Sequence, residues 1–235
     1  MKIHRFYIDP ATNTELTHDF WLHNEQLVHQ WRNVLRFKAG QQVVLFDGRQ
    51  IERLYDLVEL NDREAHVRLI TDYVRKTPSK EIYLFWSLLK KDKNDWVLQK
   101  CTELGVSHFV PIIADRSEKT GFNLERATKI VIEAAEQCGR SDIPAIREPM
   151  TLETATEDYK DKVSLYICEQ SDDVSLSSLG SNLPTGVFIG PEGGWSDPEK
   201  RLFKYANLNH LNLHDFTLRA ETACVVAIQE INRWP

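Results

Sequence analysis

Three glycines between residues 190 and 194 mark the part of this sequence best suited to bind a ligand through its backbone. The segment reads Ile189-Gly190-Pro191-Glu192-Gly193-Gly194-Trp195-Ser196 and follows the apolar run Val187-Phe188-Ile189, which is typical of a buried strand. Glycines allow a ligand to approach the main chain and can adopt positive φ. Such a loop offers N–H and C=O groups that suit a nucleoside. The alternative is a tight strand-to-helix turn without a ligand.

The spacing of these glycines excludes two common nucleotide motifs. Gly190, Gly193 and Gly194 do not fit the G-x-G-x-x-G pattern of dinucleotide sites, and no Gly-Lys-Ser/Thr follows as in a P-loop. Ser196 and Glu199 have the spacing of a capping box, with Pro198 between them. The sequence therefore predicts a helix that begins directly after the loop.

Composition limits the class of protein and argues against a metal centre. The chain has 235 residues, 42% of them apolar, which suits one large domain or two small ones. It contains no apolar run long enough for a membrane span and no signal peptide at its start. The four cysteines are widely spaced, which argues against a zinc site or a disulfide framework and for a reducing cytosol. His210 and His214 lack an evident third ligand, so we expect no metal.

The net charge of −6 argues against non-specific binding of nucleic acid. The charge is uneven, because residues 1–76 carry 11 basic and 11 acidic side chains and the remaining residues carry 18 and 24. Local basic groups such as Arg32, Arg36 and Lys38 can bind phosphate on an acidic protein, although ordinary solvated faces are the alternative.

The chain is predicted to change character near residue 77. Before this point the sequence reads as a small, mostly β unit with one helix over residues 24–36 that ends at Gly40. Predicted strands cover residues 4–8, 42–46, 50–58 and 65–70, with turns at Asp47-Gly48 and Asn61-Asp62. Thr77-Pro78-Ser79-Lys80 reads as a linker.

From Glu81 onward, predicted strands and helices alternate. Strands are predicted at residues 82–88, 109–113, 163–168 and 187–189, and helices at 92–104, 124–138 and from 220 to the end. This alternation is typical of an α/β fold with a mostly parallel sheet. Since ligands bind beyond the carboxyl ends of such strands, the loops after Ile189 and Leu213 are the expected site.

Six segments, taken in order, resemble one known family. They are Arg5-Phe6-Tyr7, residues 90–106 (KKDKNDWVLQKCTELGV), Arg116-Ser117, residues 133–144 (EAAEQCGRSDIP), residues 189–196 (IGPEGGWS) and residues 218–223 (LRAETA). The chain resembles the RsmE family of 16S rRNA uracil-N3 methyltransferases in the SPOUT superfamily. The resemblance implies a PUA-like β-barrel that binds RNA over residues 1–74 and a knotted SPOUT α/β methyltransferase domain over residues 75–235.

The same resemblance implies a function and its partners. S-adenosylmethionine (SAM) would be the methyl donor, and the acceptor would be the N3 atom of a uridine in the 16S rRNA of the small ribosomal subunit. The protein would be a cytoplasmic homodimer that takes part in ribosome biogenesis. Because the second domain is acidic, we expect an assembled small ribosomal subunit rather than free RNA as the substrate. A non-catalytic RNA-binding protein that retains the fold is the alternative reading.

Residues of the two loops would hold the cofactor through backbone groups and apolar contact, and a carboxylate would close the pocket. The candidates are Glu169, Ile189, Gly190, Gly193, Leu213, Leu218 and Thr222. The family usually has Leu-Gly where this chain has Leu213-His214. Histidine tolerates positive φ less well than glycine, so either the backbone changes there or this loop holds the cofactor differently.

Four polar residues are candidates for the chemistry, because N3 of uracil must lose its proton before it can accept a methyl group. Arg219 could stabilise negative charge on a uracil oxygen, and Glu192 could assist deprotonation. Glu221 and Arg140 complete the set, the latter near Glu136 at a helix end. The alternatives are a structural pair of Arg219 with Glu221, a loop-stabilising Glu192 and a solvated Arg140.

Arginine suits phosphate binding and stacking on bases, so several residues are candidates for RNA contact. They are Arg5, Tyr7, Arg32, Arg36 and Arg116, each of which has an ordinary surface role as its alternative. Trp96 and Trp195 are expected to pack rather than to stack on bases.

Overall fold

The computed structural model of the protein describes residues 3–12, 14–117, 121–169 and 183–234. Its internal contacts divide the chain into two compact units. The first unit consists of residues 1–77 and 135–143, and the second unit consists of residues 78–134 and 144–235.

The first unit is built on a five-stranded sheet with the order β1-β3-β4-β5-β2. Its strands are β1 (His4–Tyr7), β2 (Asp19–Leu22), β3 (Gln42–Phe46), β4 (Glu52–Leu60) and β5 (Ala65–Asp72). β1 runs parallel to β3 and the other pairs are antiparallel. Four strands lie close to their predicted positions. β2 was not predicted from the sequence.

The turn between β3 and β4 lies where Asp47-Gly48 predicts it. One carboxylate oxygen of Asp47 accepts hydrogen bonds from the backbone N–H groups of Arg49, Gln50 and Ile51, each at 2.8 Å. Gly48 has a φ of +72°, which a residue with a side chain rarely adopts. Asp47 therefore accepts hydrogen bonds from three backbone N–H groups of the turn.

The helix of the first unit is shorter than predicted. α1 (Glu25–His29) is capped by the side chain of Asn24 and continues into one widened turn over Gln30–Val34. Arg36 then adopts a φ of +55° and the N–H of Phe37 bonds to the carbonyl of Trp31 at 2.8 Å. The prediction that Gly40 ends the helix is wrong, because a left-handed arginine closes it four residues earlier.

The second unit carries a parallel sheet with helices between its strands. Its strands are β6 (Ile82–Ser87), β7 (His108–Ile113), β8 (Ala145–Ile146), β9 (Met150–Thr151), β10 (Ser164–Cys168), β11 (Thr185–Ile189) and β12 (Asn209–Leu211). Its helices are α2 (Lys91–Glu103), α3 (Leu124–Cys138, whose last residues belong to the first unit), α4 (Leu152–Tyr159), α5 (Asp197–Tyr205) and α6 (Ala220–Arg233). All of the described strand pairs in this sheet are parallel, which confirms the predicted α/β class.

Two helix ends in the second unit follow the local signals in the sequence. Gly105 has a φ of +92° directly after the C-cap of α2. At the start of α5, Ser196 and Glu199 form both hydrogen bonds of a capping box. α4, in contrast, was not predicted, since its segment Leu152–Tyr159 carries few large apolar residues.

The order of strands fixes where this sheet can bind a ligand. The order is β12-β10-β11-β6-β7-β8, so β6 and β11 are neighbours at the centre. The chain leaves β6 toward β7 on one side and leaves β11 toward β12 on the other side. Connections that diverge in this way open a crevice beyond the carboxyl ends of the two strands. The glycine loop begins at this crevice.

Candidate functional site

A cavity of about 820 Å³ opens beyond the carboxyl ends of β10, β11 and β12. We call it the large cavity. Residues from three strand ends and from the start of α6 line it: Cys168, Glu169, Ile189–Glu192, Gly194, Trp195, Leu211–His214 and Phe216–Ala220, together with Lys93, Lys200 and Ala223. Its size lies within the range of small-molecule sites.

The glycine loop forms one wall of the large cavity in a compact turn. The N–H of Gly194 bonds to the carbonyl of Pro191 at 2.8 Å, and Gly194 has a φ of +67°. A Cβ atom on Gly190 would lie 3.0 Å from the ring of Trp195. Gly194 is therefore required for its backbone conformation and Gly190 for close approach. Trp195 is buried against Phe203, as predicted, whereas Trp96 is 40% exposed and its packing role stays a prediction.

Another part of the lining contains Leu213-His214, in place of the Leu-Gly pair expected from the resemblance. Among the described residues other than glycine, positive φ occurs at Arg36 and Asn207 and not at His214. The ring nitrogen Nδ1 of His214 accepts a hydrogen bond from the backbone N–H of Phe216 at 3.0 Å. The backbone N–H of His214 donates to Oδ1 of Asn212 at 3.2 Å. The histidine side chain thus helps to close the turn in an ordinary backbone conformation.

Lys93 connects the glycine loop to α6 by ion pairs. Its Nζ atom binds the Glu192 carboxylate in the glycine loop and lies 3.5 Å from Oε1 of Glu221 on α6. The hydrogen bond from Lys93 holds the pKa of Glu192 below its ordinary value, and the same bond raises the pKa of Lys93. A carboxylate with a lowered pKa binds a proton weakly at neutral pH, so this arrangement favours the loop-stabilising role of Glu192.

A second ion pair lies at the end of β10. The Lys200 Nζ atom is 2.8 Å from Oε1 of Glu169, and both residues line the large cavity. The cavity therefore combines apolar walls from leucine and isoleucine with a few fixed polar groups, which is the usual composition of a small-molecule site.

A smaller cavity of about 330 Å³ lies beyond the carboxyl ends of β6, β7 and β11. We call it the small cavity. Its lining residues are Leu88, Leu89, Lys90, Arg116, Ser117, Pro191, Glu192 and Gly193. Pro191 and Glu192 line both cavities, so the glycine loop is their common wall.

The structure brings most of the candidate cofactor residues to the large cavity. Glu169, Ile189, Gly190, Leu213 and Leu218 line it. Gly193 lines the small cavity instead, where its carbonyl accepts a hydrogen bond from Nη1 of Arg116 at 2.9 Å. Thr222, on the first turn of α6, is not part of either lining. Their assignment to a cofactor stays a prediction.

The catalytic candidates fall into two groups. Arg219 and Glu192 line the large cavity, and Glu221 contacts it through Lys93. Arg219 makes no ion pair with Glu221 in the described part of the chain, which removes the basis for the structural pairing of these two residues. Arg140 belongs to the first unit, where it is buried and paired with Asp142 at 2.6 Å.

The candidates for RNA contact in the first unit differ in how they are bound. Arg5 forms a largely buried ion pair with Glu52 and also donates to the carbonyl of Arg140 at 3.3 Å. The N–H of Tyr7 bonds to Oε1 of Glu136 at 2.8 Å. Arg32 pairs with Asp62 on the surface. Arg36 is exposed and makes no ion pair within the described residues.

Sequence reasoning missed the roles of Lys93 and Lys200, which line the large cavity and bind its carboxylates. Lys93 and Glu192 lie 99 positions apart in the chain, so no local sequence pattern predicts their contact.

Comparison with known proteins identifies the family of the chain. Residues 75–232 match the RNA methyltransferase domain family, and residues 32–70 match the RNA methyltransferase PUA domain. A protein of Rickettsia conorii named ribosomal RNA small subunit methyltransferase E is 31% identical over 98% of this chain and 96% of its own length. The chain belongs to this family of ribosomal RNA small subunit methyltransferases.

Other members of the family extend the agreement to the fold. A Bacillus subtilis protein of the same name is 29% identical over 87% of this chain and 86% of its own length. The crystal structure of a ribosomal RNA small subunit methyltransferase E from Neisseria gonorrhoeae bound to SAM matches with a TM-score of 0.87 and 27% identity, covering 98% of this chain and 97% of that chain. A Legionella pneumophila protein solved in complex with SAM matches with a TM-score of 0.86 and 27% identity over 98% of this chain and 97% of its own.

Family membership confirms the resemblance noted in the sequence and the SPOUT-type fold with a PUA-like domain. The predicted knot and the domain boundary at residue 75 stay predictions. In the described part of the chain, no helix is long and apolar enough to span a membrane, and no group of three His, Cys, Asp or Glu side chains is arranged to hold a metal ion.

Proposed function

We propose that the protein methylates the N3 atom of a uridine in 16S rRNA of the small ribosomal subunit, with SAM as the methyl donor. The observation that carries this proposal is the large cavity at the carboxyl ends of the central strands, walled by the glycine loop and by residues 211–220 of a chain that belongs to this methyltransferase family.

The residues of the large cavity fit the proposed cofactor. A volume of about 820 Å³ is sufficient for a molecule of this size. Gly190 and Gly194 line the cavity without side chains, and Ile189, Leu213 and Leu218 supply apolar surface for a flat base. The Glu169 carboxylate, held by Lys200, is available to accept hydrogen bonds from hydroxyl groups.

The bound cofactor supplies an electrophilic methyl group on a sulfonium sulfur. The protein must align the acceptor with it and must favour loss of the N3 proton to solvent or to a base, so that the nitrogen lone pair forms the new N–C bond as the S–C bond breaks. Arg219, exposed at the cavity and unpaired with Glu221, is placed to stabilise negative charge on a carbonyl oxygen of uracil.

Two further features of the proposal do not rest on the geometry: the homodimer follows from the resemblance, and the assembled subunit follows from the charge of the sequence. The protein acts as a homodimer, and its substrate is the assembled small subunit rather than free RNA. The excess of acidic residues after position 76 supports the second point, since local recognition of a structured particle needs less overall positive charge.

A methylation assay tests the function. Small ribosomal subunits that lack the modification are incubated with the protein and with SAM labelled in the methyl group, in parallel with free 16S rRNA. We expect 3-methyluridine at one position, formed faster on the particles. SAM binding without any methyl transfer would favour the non-catalytic alternative, and label on another base or ring atom would contradict the assigned reaction.

A further inference from the structure

The small cavity is placed to receive a second ligand beside the one in the large cavity. The strand ends divide between the two, because β10 and β12 contribute only to the large cavity and β6 and β7 only to the small one. The loop after β11 contributes to both. A transfer reaction requires the reacting atoms of its two ligands to come into contact, and the two cavities meet at Pro191 and Glu192, which line both of them.

The charges in the small cavity suit an anion. Lys90 and Arg116 are exposed, and neither is ion-paired within the part of the chain that the structure describes. The guanidinium of Arg116 donates from Nη1 to the carbonyl of Gly193, and its other N–H groups make no hydrogen bond to the described residues. The carboxylate in this lining, Glu192, is already paired with Lys93. Lys90 also contributes to the lowered pKa of Glu192, so the anion of this lining is shared between Lys93 and Lys90, and within the described residues Arg116 has no carboxylate partner.

The remaining surface of the small cavity suits a flat base. Leu88, Leu89 and Pro191 provide an apolar wall, and the volume of about 330 Å³ is at the lower end of the range for small-molecule sites. This combination of an apolar wall with unpaired cations is suited to one nucleotide, with the base on the apolar side and the phosphate on the cations.

Hydrogen bonds hold both walls of the small cavity in place. The Asn94 side chain accepts the N–H of Leu89 at 3.1 Å and donates to the carbonyl of Leu89 at 2.7 Å. On the other side, the N–H of Asp115 bonds to Oε1 of Glu199 at 3.0 Å. A site formed in advance avoids the entropy that would otherwise be lost on binding.

We propose that the small cavity is the acceptor site, in which Lys90 and Arg116 bind the phosphate of the target uridine nucleotide. This inference rests on the proposed function, and it names the residues that select a nucleotide rather than a free base. The target phosphate of the RNA backbone would neutralise the two cations, and the base would lie beside Pro191 and Glu192, which also line the large cavity.

Calorimetry with uridine 5′-monophosphate (UMP) and with uridine tests the acceptor site in the full-length protein saturated with S-adenosylhomocysteine. The variants are Lys90→Ala and Lys90→Ala/Arg116→Ala. The matched control is Lys160→Ala/Lys162→Ala, which removes two exposed cations near the end of α4. We expect the double variant to weaken UMP binding about ten-fold, equivalent to 1.4 kcal/mol, and to leave uridine binding unchanged.

The single variant guards against an indirect effect through the glycine loop, since Arg116 contacts Gly193 whereas the Lys90 side chain makes no hydrogen bond or ion pair within the described residues. Lys90→Ala should weaken UMP binding and leave SAM affinity unchanged. Equal binding of UMP by the wild type and both variants, or absence of UMP binding to a protein that binds SAM, would overturn the acceptor site and leave the proposed function standing. Loss of SAM binding by the wild type would instead contradict the proposed function.

Discussion

Arg5 and Arg140 in the first unit have surroundings opposite to those of Arg116 and Arg219 in the second unit. In the first unit, Arg5 and Arg140 are largely buried and bind Glu52 and Asp142 of the same unit. In the second unit, Arg116 and Arg219 are exposed at cavities and have no ion-pair partner among the described residues. The charge of an arginine that is already paired stabilises the fold, and the charge of an unpaired one is available to a ligand. The difference lies in the partners, which are distant in sequence.

Replacement of Glu52 should give the clearest evidence that the buried arginines of the first unit stabilise the fold. Its buried carboxylate binds both Arg5 and the hydroxyl of Ser141. Glu52→Ala would leave the Arg5 charge unpaired, and we expect it to lower the free energy of unfolding by about 3–5 kcal/mol. Denaturant titration measures this loss. Glu52→Gln, which retains two hydrogen-bonding groups, should cost less; equal stability of Glu52→Ala and wild type would remove the contrast between the units.

Arg219 should show the opposite behaviour. Arg219→Ala is expected to lower kcat about 100-fold by removing a donor for the uracil oxygen, with little change in the unfolding midpoint. Single-turnover methylation and thermal unfolding measure the two effects. A variant that loses stability but methylates at the wild-type rate once folded would place Arg219 in the same structural group as Arg5.

Glu192 tests whether the pairing of a charge also decides the role of an acidic residue. Lys93 holds the pKa of Glu192 below its ordinary value, so this carboxylate is ionised throughout the neutral range and accepts a proton poorly. Glu192→Gln should therefore lower kcat by less than about ten-fold and should retain the wild-type dependence of rate on pH. Loss of the acidic limb of the pH–rate profile in this variant would identify Glu192 as the base.

The smallest effect is expected at Arg36, an exposed arginine of the first unit that makes no ion pair within the described residues. If it contacts a phosphate, Arg36→Ala should weaken binding to the small ribosomal subunit a few-fold and reduce the slope of log K against log salt by about 0.8. Arg32→Ala serves as the comparison, because Arg32 is paired with Asp62. An unchanged salt slope for Arg36→Ala would exclude Arg36 from the interface.

The sequence was sufficient wherever the signal is local. The capping box at Ser196, the glycine after α2 and the alternation of buried strands with helices all appear in the structure as predicted. Predictions failed where distant contacts override local preference. β2 is a four-residue edge strand stabilised by pairing with β5, and the widened turn that continues α1 is followed by the left-handed Arg36 rather than reaching Gly40.

The candidate site shows the same division. The glycine loop and the segment before α6 were found from residue types alone, and they line one cavity. The ion pairs of Lys93 with Glu192 and of Arg5 with Glu52 join residues far apart in the chain. Only the fold could show that Lys93 and Glu192 meet at the large cavity. Only the fold could show that the Arg5–Glu52 pair is largely buried in the first unit. At position 214, the histidine side chain closes a turn that the sequence suggested would need glycine.

Calorimetric titration with SAM tests the central claim, that the large cavity binds this cofactor. Three full-length proteins are compared: the wild type, Gly190→Val and the control Gly121→Val. In Gly190→Val the new Cβ would lie 3.0 Å from the Trp195 ring, so the side chain would press on that ring. In Gly121→Val the new Cβ would meet nothing within 4 Å. The account predicts one bound SAM per chain, an affinity at least about ten-fold lower for Gly190→Val, and wild-type affinity for Gly121→Val. Absence of binding to the wild type, or equal binding by all three proteins, would contradict it.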